Sequence, residues 1–243
     1  MGVDNPEFDT LMLNAFDDIV GNEPFYSFVL TISAHGPYTD DSYEEVALAH
    51  INEARKAVDT VALPKSCTDE EEYIHAVAQA METDEFIGGL VEMLRDSGKL
   101  ENTVLAFYSD HYAKYMLNPE MLMEMKGAAN TDMLCSTPFI IYAEGIKPMT
   151  VSKVCSAMDF APTIANMFGF DLNYAYYTGD DVFSDGGGYV IFKGNNWYDG
   201  KEYHLAGEVS GDSYINSMNS EIQQRMEMAW DTLKSDYFVH AFR

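Results

Sequence analysis

Three short apolar runs, rich in β-branched and aromatic residues, punctuate the first part of this chain, and each leads into a polar or glycine turn. They are Phe25 to Ser33 (FYSFVLTIS), ending at Ala34-His35-Gly36-Pro37; Asn102 to Ser109 (NTVLAFYS); and Thr137 to Ala143 (TPFIIYA), followed by Gly145. Runs this short and apolar, bounded by turn residues, read as buried strands. Between the first two, the apolar positions Tyr73, Val77, Ala80, Ile87, Val91 and Leu94 keep helical spacing. Thr68 and Glu71 offer that helix a capping box, and Gly98 a stop. Strand, helix, strand is the order of a parallel crossover. A further helix over Asp159 to Phe168, with an Asp cap, Pro162 in its first turn and Gly169 at its end, extends the pattern. The expected fold class is therefore α/β, a doubly wound and mostly parallel sheet.

The tail reads differently. Gly186-Gly187-Gly188 leads into Tyr189 to Lys193, the turn Gly194-Asn195-Asn196 and an aromatic segment, Trp197 to Tyr203. That is the pattern of an antiparallel hairpin at a sheet edge. A terminal amphipathic helix is expected at about Ser220 to Ser235, its Met-rich face read as core. The expected organisation is one domain over 1–243, with an α/β core to 185 and the hairpin and helix from 186. The stretch from Thr39 to Lys65 is acidic and shows little pattern.

Charge narrows the partners. The formal net charge of −26 comes from 40 acidic against 14 basic residues, and it repels nucleic-acid phosphates and anionic membrane surfaces. An anionic substrate would need local positive charge, and a divalent cation supplies it. Cys67, Cys135 and Cys155 lack metal-ligand spacing, and an odd count completes no intrachain disulfide framework. No apolar run approaches the roughly 20 residues that span a bilayer, and the N-terminus MGVDNPEFDT has neither the basic nor the apolar part of a signal peptide.

The strongest chemical signal is Tyr108-Ser109-Asp110-His111-Tyr112, directly after an apolar strand. It sets a carboxylate beside an imidazole at a strand end, where both can turn toward one divalent metal. Read alone, the dipeptide is common, and a turn aspartate with a surface histidine is the plainer reading. Read from its own neighbours, His35 is a histidine capping its Gly-Pro turn. His50, His75, His204 and His240 are weaker candidates by position.

Order among these elements gives the pair its context. A helix, then Ser97-Gly98, Glu101-Asn102-Thr103, an apolar strand and Asp110-His111 are followed by Thr137-Pro138-Phe139-Ile140-Ile141 with Gly145. Asp159-Phe160-Ala161-Pro162-Thr163 and Gly169 come next. This succession resembles the sulfatase and alkaline phosphatase superfamily. Phe28 to Tyr38 (FVLTISAHGPY) and Lys193-Gly194-Asn195 resemble its lipoteichoic-acid-synthase branch of phosphoglycerol transferases, over roughly residues 24 to 205.

The resemblance implies a metal-dependent transferase or hydrolase acting on phosphodiester or sulfate ester substrates. It implies Mn²⁺ or Mg²⁺ as cofactor, Asp110 and His111 as two metal ligands, and His35 as the catalytic and substrate-binding residue. It implies an anionic phospholipid- or glycerol-phosphate-type substrate, no nucleic acid, and a place on the extracellular face of the cell membrane, reached through segments outside this chain. The family's nucleophilic threonine and first acidic ligand precede the strand matched by Phe25 to Ser33, and no segment here matches them. The chain is expected to be the C-terminal part of the catalytic domain, inactive alone. The alternative is a catalytically silent binding domain on the same scaffold. A parallel sheet lacking that half is expected to self-associate, or to cover the gap with Met1 to Val20. His35, Asp110 and His111 are expected to share one rim.

Overall fold

The computed structural model describes residues 8–22, 24–39, 44–111 and 118–241. Tyr112 and the first seven residues of the N-terminal stretch lie outside them. The chain packs as two units, Met1–Lys147 and Pro148–Arg243.

The first unit is built on α3, Glu70–Asp96. Its N-cap is Asp69, whose side chain accepts the Glu72 amide, so the carboxylate one residue past Thr68 does the capping. Gly98, at φ 69°, ends the turn beyond the helix as its sequence position suggests. Ile74, Ala78, Glu82, Phe86, Leu90 and Leu94 are all buried, a strict four-residue stripe one position out of phase with most of the apolar residues picked from spacing. Two hydrophobic clusters use it. At the C-terminal end, Phe86, Leu90, Leu94 and Leu100 meet Phe16 and Val20 from a 3₁₀ turn over Asp9–Ala15 and the short α1, Phe16–Ile19. At the N-terminal end, Ile74 and Ala78 meet Ala47, Ala54 and Val58 of α2, Glu44–Val58, a helix inside the stretch that showed little pattern.

β1, Val104–Tyr108, pairs with β2, Phe139–Ala143, after the intervening α4, Pro119–Lys126. The pairing is antiparallel, Val104 opposite Ala143 and Tyr108 opposite Phe139. The expected parallel pairing of Phe25 to Ser33 with this strand is absent among the described residues, where residues 25–32 form no ladder at all. The reason is local: Val29 reaches the core, while Tyr26, Phe28 and Leu30 are 84%, 63% and 60% exposed, and a strand holds only where a neighbour accepts its backbone hydrogen bonds.

The second unit opens with a capping box. Ser156 Oγ accepts the Met158 amide while Asp159 accepts the Ser156 amide at 2.6 Å, and α5, Phe160–Met167, follows. Asp159 is thus the third residue of a 3₁₀ start and stands at the N-cap of α5, where its side chain makes no cap bond to that helix. The expected hairpin is present with one strand more: β3 (Val190–Ile191), β4 (Trp197–Tyr198) and β5 (Tyr203–His204) form an antiparallel sheet. Fully buried Trp197 stacks on His204 at 4.0 Å between ring centroids and donates to Asn219 of α6, Ser213–Lys234. A short α7, Tyr237–Ala241, follows. No helix among the described residues is long and apolar enough to cross a membrane.

Candidate functional site

Asp110 and His111 stand where β1 ends, both well exposed, with Asp110 Oδ1 3.8 Å from His111 Nε2. Residues far away in sequence complete the surroundings. The His35 ring meets the His111 ring edge to face, centroids 5.3 Å apart. The three residues singled out from sequence therefore lie together, although an unpaired loop, not a parallel strand, delivers His35.

Both readings of His35 describe part of its environment. Its Nδ1 donates to the Gly36 carbonyl, as a turn-capping histidine would, and its amide donates to Ile32 O at 2.9 Å. Yet the side chain is exposed and turned to His111. A carbonyl oxygen only accepts, so this contact keeps a proton on Nδ1 and leaves Nε2 as the nitrogen that gains or loses one.

The loop that carries His35 is fastened at both ends to α3. Upstream, the carboxylate of Asp9, 2% exposed, accepts the Ile32 amide at 2.9 Å, the Ser33 amide at 3.3 Å and the Thr83 hydroxyl at 2.6 Å. The Asp9 amide in turn donates to Ser33 Oγ at 2.9 Å. Downstream, the Tyr38 carbonyl accepts from His75 Nδ1 at 3.1 Å and from Gln79 Nε2 at 3.3 Å. His75, Gln79 and Thr83 recur every four residues, so one polar line along α3 faces the loop. Tyr38 is itself buried, and that burial, with the Glu72 charge adding to it, pushes its phenol above the ordinary range.

Asp9, Gln79 and Thr83 carry no local sequence signal for this task. The only trace is polar residues at helical spacing beside a buried stripe. His75, a weak candidate by position, turns out to be structural. So does His204, packed on Trp197. His50 pairs with Glu82 at 2.9 Å. In the second unit the Asp-Phe-Ala-Pro-Thr segment serves the backbone: Asp159 also accepts the Asp180 amide, and Thr163 links the Asp159 carbonyl to the Val182 amide.

Asp110 and His111 suit a hard-to-borderline divalent cation. Adjacent ligand atoms around one such ion stand roughly 3.0 Å apart for metal–ligand distances near 2.1 Å, and both exposed side chains can rotate from their present 3.8 Å to reach that spacing. An adjacent carboxylate and imidazole are a donor set that Mn²⁺ accepts.

Comparison with known proteins identifies the family. The sulfatase family model matches residues 4–170. The lipoteichoic acid synthases of Staphylococcus aureus strains USA300 and NCTC 8325 are 24% identical over 234 residues, covering 88% of this chain and 33% of theirs. The chain thus spans about a third of the length of the curated relatives it matches. The crystal structure of the lipoteichoic acid synthase LtaP from Listeria monocytogenes superposes with a TM-score of 0.66 at 18% identity, covering 93% of this chain and 59% of that one. At that identity the likeness speaks for the fold, an alkaline-phosphatase-like α/β fold. With well over half of its residues inside the family model, the chain belongs to the sulfatase family, as a lipoteichoic-acid-synthase-like member.

Proposed function

We propose that this chain is the C-terminal part of a metal-dependent phosphoglycerol transferase, acting on an anionic glycerol-phosphate or phospholipid-type substrate at the extracellular face of the cell membrane. The observation that carries the proposal is the meeting of His35 with His111 beside Asp110 at the end of β1. Asp110 and His111 would hold Mn²⁺ or Mg²⁺. When bound, that ion offsets the charge of a phosphodiester and polarises its phosphorus–oxygen bonds. Two protein ligands leave most of its coordination sphere for water, substrate oxygens and further protein groups.

His35 has the proton chemistry the reaction asks for. With Nδ1–H held by the Gly36 carbonyl, a protonated ring donates from Nε2 to a phosphate oxygen or to the departing glycerol oxygen. The neutral ring accepts the proton of an incoming hydroxyl at the same atom. Asp9, His75, Gln79 and Thr83 keep the loop from drifting as that proton moves. In the whole domain we expect β1 and the extended 25–32 segment to join a larger, mostly parallel sheet, within a single domain that includes 148–243.

The reading expects no turnover from the 243-residue chain alone, because no segment matches the family's threonine nucleophile. Fusion behind the corresponding N-terminal segment of a lipoteichoic acid synthase should restore glycerol phosphate transfer. His35→Ala should then lower the rate by about 100-fold or more, the usual contribution of a positioned acid–base group. Full transfer by the His35→Ala fusion, or a fusion that folds and binds metal yet stays inert, would contradict the assignment.

A further inference from the structure

We propose that His50, Glu82 and Glu85 form a binding site for one zinc-class divalent cation between α2 and α3, sharing no residue with the Asp110–His111 pair. The starting point is a misfit in the core. Glu82 occupies a position in the buried stripe that is otherwise Ile74, Ala78, Phe86, Leu90 and Leu94, and its side chain is 3% exposed. A buried carboxylate persists only when paired, hydrogen-bonded or coordinated. Glu82 divides its two oxygens between two tasks. Oε1 accepts the Thr10 amide at 3.0 Å and the Thr10 hydroxyl at 2.5 Å, which fixes the carboxylate from outside the cluster. Oε2 faces His50 Nε2 at 2.9 Å.

Glu85 adds a third donor that a simple buried ion pair does not need. Its Oε2 lies 3.9 Å from the same nitrogen, and one ligand atom from each of the three residues falls within 4.8 Å of the others. Around a tetrahedral zinc with bonds near 2.1 Å, ligand atoms stand about 3.4 Å apart, so the observed 2.9 and 3.9 Å bracket the required spacing. Glu85 is 67% exposed and free to swing inward, while Glu82 is held by Thr10 in the manner of a ligand oriented by an outer partner. The three-residue spacing from Glu82 to Glu85 puts both on one side of α3, and His50 comes from the helix packed against it. One imidazole and two carboxylates leave a fourth position for water. Coordination takes the Nε2 lone pair of His50, so the ring's proton stands on Nδ1 when the ion is bound.

The site stands or falls independently of the phosphoglycerol transferase reading. The test is Zn²⁺ calorimetry on the full chain carrying Asp110→Ala and His111→Ala, which silences the other pair, with thermal unfolding measured with and without Zn²⁺. The expected result is one Zn²⁺ per chain, a melting temperature raised by zinc, and affinity weakened about tenfold or more by either His50→Ala or Glu85→Gln. Glu85→Gln is the decisive variant: the residue is exposed, so the metal-free protein should melt like its parent while losing the zinc response. No Zn²⁺ bound by the parent, or binding that Glu85→Gln and His50→Ala leave unchanged, overturns the proposal.

Discussion

Asp9 shows how much of this site rests on a single side chain. Its carboxylate is buried and accepts from two backbone amides and a hydroxyl, of which the Ser33 amide lies buried with it and the Ile32 and Thr83 donors partly so. Asp9→Ala should destabilise the first unit by roughly 1–3 kcal/mol for each donor left unpaired. Hydrogen exchange at the Ile32 and Ser33 amides should accelerate with it, and unchanged protection there would refute the anchoring role. Glu82 makes a prediction about acid. Burial alone would raise its carboxyl, but the Thr10 hydroxyl, the His50 imidazole and the Thr10 amide together hold it below its ordinary value of 4.5. A depressed folded-state value means the stabilisation is in place above pH 4.5 and is lost as pH falls through the folded value. Urea midpoints of wild type should therefore fall faster below that pH than those of Glu82→Gln. Parallel curves would show that Glu82 is not the group responsible. The adjacent glycines at 187 and 188 give a third test. A Cβ on Gly188 would stand 2.1 Å from the Val154 carbonyl oxygen, while one on Gly187 meets nothing within 4 Å. Gly188→Ala should cost about 3 kcal/mol, since backbone must move, and Gly187→Ala should stay within about 0.5 kcal/mol.

At the level of elements, the sequence carried some features and hid others for identifiable reasons. The Asp110–His111 turn stood out through its context, since the pair alone is common and the ordered motifs around it single it out, and β1 does end beside it. The Trp197 hairpin and the existence of the terminal helix were legible from spacing and glycine turns, but α6 starts at Ser213, before the expected Ser220, and Met228 and Leu233 of the face read as core are exposed. Sheet direction was not, because a continuous apolar run says that a strand is covered and nothing about which way its neighbour runs. α2 was hidden because the charges at its ends, Glu44, Glu45, Arg55 and Lys56, interrupt its apolar spacing, although Ala47, Ala54 and Val58 mark its buried face. The four-residue stripe of α3 was misphased for a related reason: its true line passes through Glu82, a residue that a hydrophobic pattern skips. The support of the His35 loop could not be read at all, since Asp9, Ser33 and Thr83 meet only after the chain has folded. What local pattern misses here is long-range polar contact.

Taken as a whole, the molecule leaves apolar side chains uncovered. Phe28, Leu30, Ile140 and Tyr142 are all exposed around the extended segment and the β1–β2 ribbon. Such surfaces mark places where other polypeptide or a second copy packs. We therefore expect the chain to bind a hydrophobic dye and to associate as concentration rises. Replacing Phe28, Leu30 and Ile140 together with serine should suppress both. A monomer at every concentration by light scattering, with no dye bound, would show that the exposed set is not an adhesive surface. The central claim concerns the other end of β1, where His35, Asp110 and His111 meet. It is tested most directly by titrating Mn²⁺ into the chain and following the imidazole resonances of its histidines, in a Glu85→Gln background that removes the α2–α3 cluster. The account predicts that His111 broadens first, His35 with it, and that Asp110→Ala abolishes both effects. Sharp His35 and His111 signals while other histidines broaden, or broadening that survives Asp110→Ala, would contradict it.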